Sequence, residues 1–170
     1  MTLSSEKVIM RTGWVLAALL LAGCASLDGR SLVPGKASSA EVKALMGAPA
    51  LELKRPSGDT QFYYTHYPYG RLTYVATIGP DDRLRGIEQR LTPLYIAKVA
   101  VGMREEEVRE LFGPPREISR LPRQQRNVWE YPWRTAREMR ILWVQFSDDG
   151  IAREVIEMHD YEAEPMNSRN

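Results

Sequence analysis

The sequence predicts an α+β fold made of two tandem units, each with a short helix, or a helix pair, packed on one face of a three-stranded antiparallel meander. Three observations predict it: a helix motif that occurs twice, an aromatic-rich segment after each copy, and an Asp-rich turn that closes the last hairpin of each unit. Because the three features recur in one order, they indicate a tandem duplication.

The duplication is visible as pairs of matching blocks. The block from Glu41 to Pro49 returns 66 residues later, with the same spacing of Val, Leu, Gly and Pro. The block at 59–64 has its counterpart at the same offset. The block at 78–87 has its counterpart after two more residues of drift, at 146–155. Each unit therefore has the same order of elements.

The helix of the second unit has clear start and stop signals. Three acidic residues, 105–107, occupy a first turn, where the helix dipole favours negative charge. Val108, Leu111 and Phe112 recur at helical spacing, Gly113 ends the helix, and the proline two residues later prevents it from resuming. An additional helix is predicted over 94–99, where the first unit lacks a counterpart.

The strands follow the helices as short segments with turn residues between them. Side chains alternate between the two faces of a strand, so Leu142, Val144 and Phe146 are expected to face the core and Trp143 the open face. The predicted strands are 60–67, 72–78 and 84–90 in the first unit, and 127–133, 140–146 and 151–158 in the second.

The N-terminus has the organisation of a cleavable export signal. Lys7 and Arg11 precede an apolar run that ends at Gly23-Cys24. The uncharged stretch from Thr12 to Ser26 is shorter than the roughly 20 residues that a membrane-spanning helix needs. Cleavage is therefore expected between Gly23 and Cys24.

Cys24 is the only cysteine, and the segment Leu21-Ala22-Gly23-Cys24 resembles the lipobox of bacterial lipoproteins. The resemblance implies a covalent lipid on Cys24, with acyl chains such as palmitate, and no other cofactor. More than one chain gives a stable anchor. Ala25-Ser26 resembles the sorting residues of lipoproteins exported to the outer membrane, facing the periplasm. The alternatives are an ordinary secretory signal with an incidental cysteine, or an uncleaved interfacial helix.

Cleavage divides the chain of 170 residues and balances its charge. The mature part has 147 residues with 21 basic and 21 acidic side chains, so it offers no global attraction to nucleic acid. With one cysteine, no intramolecular disulfide stabilises it. The predicted segments are a signal at 1–23, a lipidated tether at 24–33, repeats at 34–90 and 91–160, and a polar tail at 161–170.

The second copy of the motif resembles a known domain. The run from Gly102-Met103 through Val108 and Leu111 to Gly113-x-Pro115 is similar to the opening of the SmpA/OmlA domain of BamE-like outer-membrane lipoproteins. The segment 34–49 is a looser copy. The resemblance implies an accessory of β-barrel assembly, and two such units in a β-lactamase-inhibitor-like arrangement would form one continuous concave sheet.

Few residues suggest catalysis. His66 and His159 have no ligand-type neighbour at metal-binding spacing. The pairs Asp81-Asp82 and Asp148-Asp149 fall in equivalent hairpin turns, where Asp is common. The sequence contains no nucleophile elbow, zinc-binding helix motif or phosphate loop. It therefore predicts a protein that is not an enzyme and holds no metal.

Two sets of residues are candidates for binding. The aromatic set has two interpretations, packing across strands or a binding face, because Tyr and Trp dominate interface hot spots. The arginine-rich stretch 116–140 is either a solvated loop face or a contact for anionic lipid or an acidic partner. The candidates are Tyr63, Tyr67, Trp129, Tyr131, Trp133 and Trp143, with Arg120, Arg123 and Arg126.

The expected function is a membrane-anchored, non-catalytic protein-binding or scaffold module, accessory to β-barrel outer-membrane protein assembly. The alternative is an inhibitor-like module that captures a soluble periplasmic protein or an envelope polymer on its aromatic sheet. In both cases the expected partners are the outer membrane, through lipid, and an envelope protein, with no nucleic acid.

Overall fold

A computed structural model describes residues 29–163 and contains two four-stranded antiparallel sheets with a few short helices. Sheet A has the strand order β1-β2-β3-β4 and sheet B the order β5-β6-β7-β8. The first unit consists of α1 (Ser39–Met46), β1 (Leu51–Lys54), β2 (Thr60–Thr65), β3 (Thr73–Ile78) and β4 (Leu84–Gln89). The second consists of α2 (Pro93–Ile96), α3 (Glu105–Phe112), β5 (Glu117–Leu121), a 3-10 turn (Pro122–Gln124), β6 (Arg126–Arg134), β7 (Met139–Ser147) and β8 (Ala152–His159).

The predicted α+β fold, with helices on one face of three-stranded meanders, is wrong. The protein is β-rich, and each unit has a fourth strand, β1 or β5, at the edge of its sheet. β5 is almost wholly exposed, so it lacks the apolar alternation that marks a half-buried strand. The expected continuous concave sheet is also wrong, because sheets A and B are separate.

The same local devices shape both units. Gly47 and Gly113 end α1 and α3 with φ of 86° and 77°, a backbone region that is essentially restricted to glycine. A register shift interrupts the pairing between Thr77 and Ile78 in sheet A and between Gln145 and Phe146 in sheet B. Both irregularities immediately precede the Asp-containing turn, so the last hairpin of each unit bends at the equivalent place.

Each unit has its own hydrophobic core. In the first, α1 buries Val42 and Met46 against Phe62, Tyr64 and their neighbours on one face of sheet A. In the second, α2 and α3 pack on one face of sheet B. Their buried residues, Ile96, Val108 and Phe112, join a cluster that includes Trp129, Tyr131, Trp133, Leu142, Val144 and Phe146.

The second face of sheet A is also covered, and α3 lies against it. Tyr63 is fully buried there, its hydroxyl donates to the carbonyl oxygen of Glu110 at 2.7 Å, and its ring lies against Gly113. An Arg55–Glu110 ion pair of 2.7 Å and a mostly buried Arg71–Asp160 ion pair also join the two units. The molecule is therefore layered in the order α1, sheet A, helices α2 and α3, sheet B.

Candidate protein-binding face

Most of the aromatic residues that the sequence offered for binding lie in the core. Tyr63, Trp129, Tyr131 and Trp133 are 0–3% exposed, and Tyr67 packs against the second core cluster. Their rings fill the space between the helices and the sheets. They cannot contact a partner without local unfolding, so the packing interpretation fits these five residues.

Trp143 is the exception among the six. Along β7, Leu142, Val144 and Phe146 are fully buried on the helix side, as the alternation predicted, while Trp143 is half-buried on the other side. We call that side of sheet B the outer face. The indole Nε1 of Trp143 donates to Glu130 Oε2 at 2.9 Å on the neighbouring strand. This bond fixes the orientation of the ring.

Glu130 also binds an arginine. The Nε of Arg116 donates to Glu130 Oε1 at 2.7 Å, and its Nη2 contacts the same oxygen. The Arg116 and Glu130 side chains are 26% and 15% exposed, so water screens the pair only partly. Arg116, Glu130 and Trp143 form one connected cluster near the middle of the outer face, with its charges already compensated.

The rest of the outer face consists of apolar side chains and a second polar bridge. The Nη1 of Arg126 donates to Gln145 Oε1 at 3.1 Å and to Glu154 Oε2 at 2.8 Å. Ile156 lies beside Trp143 in the register of β7 and β8. Among residues 29–163, none of these outer-face side chains belongs to either core cluster. The outer face is therefore the sheet surface that remains for a partner.

The predicted arginine cluster is divided in the structure. Arg120 donates to Asp148 Oδ1 at 2.7 Å and to Asn127 Oδ1 at 3.0 Å, and its hydrogen bond is the main cause that lowers the pKa of Asp148. Arg123 lies in the 3-10 turn, whereas Arg134 and Arg137 flank the hairpin at the far end of β6. Because most of the arginines have carboxylate partners and the others lie apart, contact with an anionic surface loses support.

The Asp pairs have structural roles. Asp149 accepts from the Ser147 hydroxyl and from the Ile151 amide, and these two bonds lower its pKa. Asp81 binds Arg85 in the equivalent turn at 3.0 Å. Within the described part of the chain, no group of three or more His, Cys, Asp or Glu side chains is arranged to hold a metal ion.

Sequence reasoning missed the residues that position Trp143. Glu130 was counted only as one of few acids near the arginines, and neither Arg116 nor Ile156 was a candidate. The signal that could have found Glu130 is cross-strand register, because Glu130 pairs with Trp143 and alternates with the buried Trp129 and Tyr131. Register depends on the exact hairpin, which the sequence did not fix.

The comparisons with known proteins add little to this geometry. No protein-family profile matches the chain, and no curated protein matches its sequence. Among solved structures it is similar to a DUF4309 family protein, YjgB, from Bacillus subtilis, with a TM-score of 0.31 and 19% identity over 77% of this chain and 84% of that chain. A likeness this weak supports no conclusion about fold or function.

The predicted lipidation site, Cys24, and the cleavage position at Gly23 lie outside the described residues. Within residues 29–163, no helix is long and apolar enough to cross a membrane.

Proposed function

We propose that the protein is an outer-membrane lipoprotein, anchored through Cys24, that holds an envelope protein on the outer face of sheet B without catalysing a reaction. The observation that carries the proposal is the position of Trp143, half-exposed and held by Glu130 on a face that belongs to neither core. A Trp whose rotamer is fixed before binding loses little entropy on contact, which is a property of interface hot spots.

The charges of the outer face suit a protein partner. Burying an unpaired charge is costly, whereas Arg116 and Arg126 already have carboxylate partners within the face. A partner can therefore cover them without supplying countercharges. The apolar contact then comes from Trp143 and Ile156.

The size of the face is also suitable. Four strands spaced about 4.8 Å apart, with central strands of nine residues, give a surface of about 19 Å by 30 Å, or roughly 570 Å². Stable interfaces bury about 800 Å² on each partner. The outer face provides most of that area, and the adjoining hairpins with Arg123 and Arg137 would complete it.

The lipobox and the SmpA/OmlA-like motif support an accessory role in β-barrel assembly. The rival proposal, capture of a soluble periplasmic protein, uses the same face, so the identity of the captured protein decides between them.

A photoreactive amino acid at position 143 in living cells tests the proposal. We expect it to crosslink to one defined envelope protein. The matched control is position 94, since Leu94 is 71% exposed on α2 and lies away from the outer face. A barrel-assembly subunit supports the accessory role and a soluble protein supports the rival. No adduct at 143, or the same adducts at both positions, contradicts the proposal.

A further inference from the structure

The described chain starts on the side of the molecule that is opposite to the outer face of sheet B. Gly29 is buried against Met46 of α1 and Ile87 of β4, and a methyl group at Gly29 would lie 3.0 Å from Met46 Sδ. Met46 and Ile87 belong to the core between α1 and sheet A. The tether therefore enters at the α1 layer, which we call the tether side.

The tether is short compared with the molecule. Cys24 precedes Gly29 by five residues, and five residues of chain span at most about 17 Å in any conformation. The distance across the layers is larger, because adjacent layers of sheets and helices lie about 10 Å apart. Three such spacings, from α1 through sheet A and the helices to sheet B, amount to roughly 30 Å.

From this comparison we infer that the outer face of sheet B is held away from the membrane that carries Cys24, so its partner is a water-soluble protein or domain reached in the aqueous periplasm. Turning the outer face flat onto the bilayer would require the tether to extend around the molecule. A reach of about 17 Å does not cover about 30 Å of layers. This inference rests on the proposed lipid anchor and on the proposed use of the outer face.

The tether side has features that suit a membrane surface. Met46 lines a pocket of about 600 Å³ together with Tyr64, His66 and Tyr69. Tyr69 is 97% exposed in the β2–β3 loop. Amphipathic rings of this kind prefer the bilayer interface. Because Gly29 and Tyr69 both lie at this pocket, Tyr69 is within about one pocket width of the tether.

Lipid crosslinking on the intact lipoprotein tests the inference. The lipidated full chain is reconstituted in vesicles of phosphatidylethanolamine and phosphatidylglycerol that contain radiolabelled phospholipid, with a photoreactive amino acid at position 69 or 143. We expect at least fivefold more lipid adduct at 69 than at 143. A yield at 143 equal to or above that at 69 overturns the inference.

A longer tether serves as the matched control. Inserting twelve Gly and Ser residues after Ser26 adds about 40 Å of reach, so adducts at 69 should fall at least threefold as the domain leaves the surface. An unchanged yield at 69 contradicts the claim that the tether sets the orientation.

Failure of the proposed function gives a different result. Protein that does not float with the vesicles contradicts the anchor, and this inference with it. Loss of the protein adduct at 143 in cells, with the lipid pattern as expected, contradicts the proposed use of the outer face. The expected lipid pattern together with capture of a partner embedded in the bilayer overturns the inference about the partner alone.

Discussion

Substituting Gly113 tests the contact between the two units, because this residue ends α3 against the ring of Tyr63. A methyl group at Gly113 would lie 3.0–3.2 Å from three atoms of Tyr63. The ring cannot move aside easily, since it is fully buried and its hydroxyl bonds the Glu110 carbonyl. Gly113→Ala therefore combines backbone strain with overpacking.

Gly47 separates the two contributions. It ends α1 with φ of 86°, near the 77° of Gly113, but a methyl group there would meet no atom within 4 Å. Gly47→Ala should cost about 1–3 kcal/mol of unfolding free energy from backbone strain alone. Gly113→Ala should cost that amount plus about 1–3 kcal/mol for overpacking.

Urea denaturation of both variants in a Cys24→Ser background measures the difference. In a Tyr63→Ala background the extra cost of Gly113→Ala should disappear, which a double-mutant cycle reports as coupling of about 1–3 kcal/mol. Equal costs for the two glycines, within about 0.5 kcal/mol, would refute the packing of α3 between the sheets.

Three further predictions concern the anchor, the Trp143 cluster and alkaline stability. Cys24→Ser should abolish palmitate labelling and release the protein from membranes; a variant that stays with the outer membrane in high salt contradicts the lipid tether. Glu130→Ala should free the Trp143 indole, so its fluorescence anisotropy should fall; an unchanged anisotropy shows that the hydrogen bond does not fix the ring. Burial raises the pKa values of Tyr63 and Tyr64 from 10.0 to about 12, so the folded state keeps protons that the unfolded state loses, and stability should fall between pH 10 and 12. Tyr64→Phe should make this fall shallower in denaturant melts, and an identical profile would argue against the burial of Tyr64.

The helices, the hairpin turns and the core face of β7 could be predicted because their signals are local. α3 has acidic residues in its first turn and a glycine stop, and Leu142, Val144 and Phe146 alternate strictly with less apolar neighbours. The edge strands could not, because β5 binds one neighbour through its backbone and buries almost nothing.

The faces of the aromatic strands failed for a different reason. The repeat alignment places Tyr63 opposite Trp129, 66 residues apart. In the structure Phe62 faces the helix of its own unit, as Trp129 does, so the equivalent positions are 67 residues apart. A shift of one residue moves every side chain to the other face of a strand. Tyr63 therefore packs against α3 of the other unit, a contact that no local pattern encodes.

The most direct test of the proposed function is the affinity of the captured partner for Trp143→Ala. The expected loss is at least about 2 kcal/mol, or roughly thirtyfold in Kd, with a cooperative melting transition retained. Tyr161→Ala, which removes another exposed aromatic ring outside the sheet, should change Kd less than twofold. If Trp143→Ala instead lowers the melting temperature sharply while the folded fraction binds normally, Trp143 is a packing residue and the outer face is not the binding surface.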